Sequence, residues 1–245
     1  MPAGFQKYKI EKIMQETADT RTFWLSPIGF PCPSFTPGQF FTVRLVDEKG
    51  MFKKDEAGKP LVRSYSISSS PFEEGHFSIT VKLVGAFTKR LFEMKEWDAL
   101  EAIGPLGNFC VQEDKMKEVV FLAGGSGVTP FVSMLSYYDK KPCATHFTLV
   151  YSCKREKDFI LYKQLRTLSH PNIKAVFTLT RAEESPGWQG KQGRISATLI
   201  KDACEGRLEG KYFFICGPKE MIGAMQQQLR SLGIEEARIV VEKWG

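Results

Sequence analysis

Glu118-Val-Val-Phe-Leu-Ala-Gly-Gly-Ser-Gly-Val-Thr-Pro130 decides the fold class of the second half of this chain. An apolar strand over Glu118–Ala123 runs into a glycine-rich turn and then a helix over Phe131–Tyr138. In that context glycines let backbone N–H groups approach a pyrophosphate, and the helix dipole favours its negative charge. Thr129 suits an N-cap and Pro130 the first helical position, which needs no backbone donor. The run Gly125-x-Gly127-x-x-Pro130 departs from G-x-G-x-x-G at its last glycine, so a plain strand-to-helix turn remains an alternative reading of the motif alone.

Downstream the alternation repeats. Strand His146–Tyr151 precedes helix Phe159–Leu168, and strand Ile173–Leu179 precedes helix Ser196–Ala203. Strand Tyr212–Cys216 precedes helix Lys219–Leu232, and strand Arg238–Glu242 comes last. Strands alternating with helices imply a parallel sheet with helices on both faces. Upstream the pattern differs. Short β-branched or alternating segments, Lys7–Met14, Thr22–Leu25, Gln39–Val46, Leu61–Ser68 and His76–Val84, are separated by Pro and Gly turns, with one helix near Thr88–Met94. Many short strands at this spacing read as an antiparallel β-barrel or sandwich. Two domains are therefore expected, residues 1–112 and residues 113–245.

Composition narrows the partners. The chain has 245 residues, 42% apolar and 25% charged, with 34 basic and 28 acidic residues and a net charge of +6. That balance, without a block of like charge, suits an acidic partner or a phosphorylated ligand better than nucleic acid. No apolar run approaches the ~18 residues of a membrane helix, and the start MPAGFQKYKI has no signal-peptide pattern. The expected location is the cytoplasm. Six cysteines at 32, 110, 143, 153, 204 and 216 include no C-x-x-C pair and no cluster with His76, His146 or His170. No metal site is expected, and the run required by a plant-type iron–sulfur cluster is missing.

Several short motifs carry chemistry. Arg63-Ser-Tyr-Ser66 lies on an expected strand, so Arg63 and Tyr65 share one face and Ser64 and Ser66 the other; an ordinary exposed strand fits equally. Gly85-Ala-Phe-Thr88 offers a turn and a hydroxyl at a helix start, a second place for a phosphate. Gly104-Pro-Leu-Gly-Asn-Phe109 and Ile215-Cys-Gly-Pro218 read as turns at strand ends, with Cys216 on the carboxyl edge where open α/β sheets place ligands. A nicotinamide-binding sheet usually carries an acid ~20 residues beyond its glycines to hold the ribose 2′-hydroxyl. Here Tyr151-Ser-Cys-Lys-Arg155 ends the second strand, Thr180-Arg181 the third, and Lys191 and Arg194 follow. Such residues suit a 2′-phosphate or a solvated loop.

Taken in order, Arg63-x-Tyr65-Ser66, Gly85-x-x-Thr88, Gly104-Pro-x-Gly-x-Phe109, Gly124-Gly-x-Gly-x-Thr-Pro130, Cys216-Gly-Pro218 and Glu242-x-Trp244 resemble the ferredoxin–NADP reductase family across nearly the whole chain. The resemblance implies a flavin-binding barrel followed by a nicotinamide-dinucleotide domain, with the flavin between them. It implies that Arg63, Tyr65, Ser66, Lys82, Gly85, Thr88 and Trp244 bind FAD. Gly124, Gly125, Gly127, Thr129, Arg181, Arg194, Gly217 and Pro218 would take the nicotinamide nucleotide, with a lean to NADPH over NADH from the basic strand ends. Ser66, Cys216 and Glu242 would form the catalytic set. Trp244, where Tyr or Phe is commoner, has one residue beyond it. Several relatives append a [2Fe–2S] domain, for which this chain has neither length nor cysteines, so electrons would leave to a separate carrier such as ferredoxin or flavodoxin. The alternatives are a reductase component for an oxygenase or cytochrome, and a non-catalytic flavin- and nucleotide-binding subunit.

Overall fold

A computed structural model describes residues 4–46, 58 and 61–242. The chain divides into two compact units, Met1–Cys110 and Val111–Gly245.

The first unit holds strands β1 (Gln6–Thr17), β2 (Thr20–Pro27), β3 (Phe40–Arg44), β4 (Val62–Ser66), β5 (Phe77–Lys82) and β6 (Ala99–Leu106), with helix α1 (Ala86–Glu93) between β5 and β6. All neighbours pair antiparallel in the order β4-β3-β6-β1-β2-β5. A bridge between Ile67 and Ile79, with the Ser68 N–H donating to the Ser78 carbonyl at 2.8 Å, joins the two edges and closes a barrel. Alternate residues face inward: Tyr8 and Ile10, Phe23 and Leu25, Phe41 and Val43, Phe77, Ile79 and Val81 are all buried. Phe41 and Phe77 stack at 4.0 Å, and Tyr8 meets both edge-on. From α1, Phe87 and Leu91 pack into this core.

β6 corrects the reading of Gly104-Pro-Leu as a turn. It is a central strand between β3 and β1. Its sequence, ALEAIGPL, lacks the β-branched density that marks the other strands, and Gly104 is required for close packing: a Cβ there would lie 2.6 Å from the Phe41 ring.

The second unit contains β7 (Glu118–Gly124), α2 (Thr129–Tyr138), β8 (His146–Cys153), α3 (Tyr162–Arg166), β9 (Ile173–Leu179), β10 (Lys191–Gln192), α4 (Ala197–Ala203), β11 (Tyr212–Cys216), α5 (Lys219–Ser231) and β12 (Ile239–Glu242). Its sheet is parallel, in the order β10-β9-β8-β7-β11-β12. β7 is buried at every position after the first, as a strand covered on both faces must be. On one face the rings of Phe121, Phe131 and Phe147 stack. On the other, Val120, Leu122, Ile215, Ile222, Met225 and Leu229 form the core. From β7 the chain winds outward through β8, β9 and β10, then returns to the other side of β7 for β11 and β12. The order reverses between β7 and β11, the place where such sheets bind ligands.

Two helix starts differ from expectation. A 3-10 turn over Gly125–Val128 already winds the chain before α2, so Val128, not Thr129, is the N-cap; the Thr129 hydroxyl instead donates to the Ser126 carbonyl at 3.1 Å. α3 is shorter than the expected Phe159–Leu168. Leu161 is left-handed at φ 55°, and the Ile160 N–H donates to the Tyr151 hydroxyl at 3.0 Å, so Phe159, Ile160 and Leu161 bury their side chains outside a helix.

Candidate functional site

In the first unit, β4 and the start of α1 come together. The Tyr65 ring lies 5.9 Å from that of Phe87, and burial pushes the Tyr65 phenol above its ordinary range. Arg63 is exposed and its Nη1 donates to the Val62 carbonyl at 2.7 Å. On the opposite face Ser64 bonds Thr42 at 2.8 Å, while Ser66 Oγ is buried with no hydrogen-bond partner. Buried hydroxyls are normally satisfied, so Ser66 suits a polar ligand atom.

Gly85 N-caps α1 in an extended conformation, and a Cβ there would meet nothing within 4 Å. Thr88 is the third helical residue. Its Oγ accepts from the N–H groups of Val84 at 2.9 Å and Gly85 at 3.0 Å and donates to the Gly85 carbonyl at 2.9 Å. The hydroxyl thus shapes the turn, and the first-turn N–H groups, which have no intrahelical acceptor, are left as donors for an anion. Lys82, at the end of β5, is bound to Asp19 at 3.1 Å.

In the second unit the glycine loop and the Cys-Gly-Pro turn pack together at the switch point. A Cβ on Gly127 would fall 2.2 Å from the Cys216 carbonyl oxygen, and one on Gly124 2.3 Å from Met221 Sδ. Gly217 packs against Gly124 less tightly, its Cβ position lying 3.2 Å from the Gly124 nitrogen. Gly125 takes a left-handed φ of 52° with open space around it. Pro218 N-caps α5. In the sheet register Cys216 is flanked by Ala123 on one side and Glu242 on the other. Cys216 is fully buried. Glu242 is half-buried, its Oε2 is buried without a partner, and burial raises its carboxyl to about 7. Trp244 lies outside the described residues.

At the ends of β8 and β9, Arg181 is not free: its Nη1 binds Glu184 at 3.3 Å, and Arg155 Nε binds the same carboxylate. Arg194 follows β10 and is exposed.

Two polar groups that matter escaped the sequence reading. Tyr151 is completely buried; its hydroxyl donates to the Gly125 carbonyl at 3.1 Å while accepting from Ile160. In sequence it is one more aromatic in an apolar strand. Glu184 stands in an exposed loop beside Glu183, and nothing in sequence brings it to Arg155. Among the described residues no group of three His, Cys, Asp or Glu comes together, and no helix is long and apolar enough to cross a membrane.

A closed antiparallel barrel with an anion-ready helix start, followed by a parallel sheet with a glycine loop at its switch point, defines the class of flavin- and nicotinamide-dependent oxidoreductases. Residues 8–110 match the family model of the oxidoreductase FAD-binding domain, and residues 121–227 that of the oxidoreductase NAD-binding domain; the chain belongs to the oxidoreductases that join these two domains. It is 31% identical over 242 residues to the glycine betaine monooxygenase reductase subunit of Pseudomonas aeruginosa, covering 96% of this chain and 63% of that protein. It is 28% identical to NADH-cytochrome b5 reductase 1 of Dictyostelium discoideum, covering 97% of this chain and 82% of that one. The fold matches the ferredoxin NADP+ reductase of Neisseria gonorrhoeae with a TM-score of 0.80 at 23% identity, covering 98% of this chain and 99% of that one. It matches phthalate dioxygenase reductase at 0.74 and 20%, covering 98% and 68%. The chain therefore spans less than two thirds of the monooxygenase reductase subunit it resembles.

Proposed function

We propose that this chain is the reductase of a two-component electron-transfer system, oxidising NADH or NADPH at an FAD and delivering electrons to a separate protein. When bound, the flavin accepts a hydride as an electron pair and can release electrons singly. The observation that carries this reading is the pairing of Cys216 with Glu242 beside the glycine loop, with an unpartnered carboxylate oxygen buried at the ligand-binding edge of the sheet.

On this reading Arg63 and the first turn of α1 would hold the flavin phosphates, Tyr65 would supply an aromatic ring for the flavin, and Ser66 Oγ would offer it a hydrogen bond. Gly85 leaves room for the pyrophosphate, and Thr88 acts through the turn that its hydroxyl shapes. Lys82 contributes at longer range, since Asp19 already engages it. Gly124 and Gly125 face the dinucleotide, while Gly127, Thr129, Gly217 and Pro218 fix the loop and turn that receive it. Cys216 excludes water beside the nicotinamide. Glu242 holds a proton at Oε2 near neutral pH.

The acceptor is a ferredoxin, a flavodoxin or an oxygenase component. The likeness to a monooxygenase reductase subunit favours the last. Reduced protein is mixed with each carrier in turn under anaerobic conditions, and the rate of flavin reoxidation identifies the acceptor. Reoxidation by small dyes but by no carrier protein would contradict the two-component reading.

A further inference from the structure

The loops after β8 and β9 are tied together before any ligand arrives. The Arg181 N–H donates to the Lys154 carbonyl at 2.9 Å, and the Glu156 N–H to Ser185 Oγ at 3.0 Å. Between these ties sits Glu184, in the 3-10 turn Ala182–Glu184. Arg155 Nε donates to its Oε2, and Arg181 Nη1 to its Oε1 at 3.3 Å. The two guanidinium groups hold the carboxyl below its ordinary range, so it is ionised at neutral pH. All three side chains keep between 30% and 47% of their surface exposed and are within reach of a ligand.

In nucleotide-binding parallel sheets an acid at the strand ends accepts a hydrogen bond from the ribose 2′-hydroxyl, whereas a cation there receives a 2′-phosphate. β8 itself ends without an acid at Cys153, and of the two acids in the turn that follows, Glu156 and Asp158, the latter already accepts from the Arg155 N–H at 3.1 Å. Resting on the nicotinamide reading of this sheet, we propose that Glu184 is the specificity-determining residue: it receives the 2′-hydroxyl from the next loop over and keeps Arg155 and Arg181 from a 2′-phosphate, so that the protein selects NADH. Counting basic residues favours NADPH, but two of the five at these strand ends, Arg155 and Arg181, share one carboxylate. An incoming phosphate dianion would have to break a charge-assisted bond and then lie beside Glu184. A hydroxyl breaks no ion pair and brings no charge beside Glu184, since it donates to the carboxylate as it stands.

The test compares 5′-AMP with adenosine 2′,5′-bisphosphate, which differ only in the 2′-phosphate, by titration calorimetry on the purified full chain and its Glu184→Gln variant. The wild type is expected to bind 5′-AMP about tenfold more tightly than the bisphosphate. In the variant, which keeps shape and an acceptor oxygen but loses charge, bisphosphate affinity should rise about tenfold while 5′-AMP affinity falls a few-fold. The NADPH-to-NADH ratio of kcat/KM should move the same way, through KM. A wild type that favours the bisphosphate, or a variant with an unchanged ratio, overturns the proposal. If both nucleotides are oxidised and the ratio is unmoved, only the role of Glu184 falls. If neither AMP ligand binds and neither nucleotide is oxidised, the nicotinamide reading falls with it.

Discussion

At Tyr151 one hydroxyl holds two separated pieces of backbone, the Gly125 carbonyl and the Ile160 amide. Removing it strands both, and a buried polar group without a partner costs about 1–3 kcal/mol. Tyr151→Phe keeps the ring against Phe159. It should lower unfolding stability by about 2 kcal/mol and raise KM for the dinucleotide about tenfold, with kcat and flavin content little changed. Equal effects on kcat and KM would mean that the hydroxyl does not act through the loop. Glu242 makes a prediction in pH. Its carboxyl titrates at about 7 when folded against a reference value of 4.5, so between those values the native state binds more protons than the unfolded chain, and stability falls as pH rises. Glu242→Gln lacks this dependence. Its melting temperature should match the wild type at the acid end of that window and exceed it by a few degrees above its neutral end; parallel curves would show that burial does not penalise the carboxylate. Glu242 was legible in sequence as a site residue but its burial was not, and the role of Tyr151 was not legible at all, because Gly125 and Ile160 meet its hydroxyl only in the fold.

The glycine loop makes two different demands on two glycines. At Gly125 the demand is conformational, a φ of 52° in open space, and a left-handed non-glycine residue costs about 1–2 kcal/mol. At Gly127 it is steric, because a Cβ meets the backbone of Cys216, which belongs to a central strand and cannot move aside cheaply. Denaturant unfolding should therefore rank Gly127→Ala as the more damaging, at about 3 kcal/mol or more, with Gly125→Ala near 1–2. The reverse order would place the contact elsewhere. What made the elements readable was apolar density: β9 and β11 fall where their apolar runs predicted, at Ile173–Leu179 and Tyr212–Cys216. Where tertiary packing does the work, sequence misled. β6 is a strand because it lies between β3 and β1, despite its alanines, its glycine and its proline. Phe159–Leu161 reads as the first turn of a helix, but Tyr151 takes the Ile160 amide and Leu161 turns left-handed.

Over the whole molecule, two units of different fold class carry motifs that share one chemistry, which made the family legible from widely spaced residues between Arg63 and Glu242. The electron acceptor was not legible, since its recognition rests on surface shape and charge rather than on a spaced motif. Denatured protein should release FAD, because the Gly85–Thr88 turn offers a pyrophosphate site that FMN would leave unused; chromatography that recovers only FMN contradicts that assignment. The most direct test of the central claim is anaerobic stopped-flow mixing of the purified flavoprotein with NADH and with NADPH. The account predicts that a dinucleotide bleaches the visible absorbance of the bound flavin. Full bleaching by dithionite with no response to either dinucleotide would contradict it.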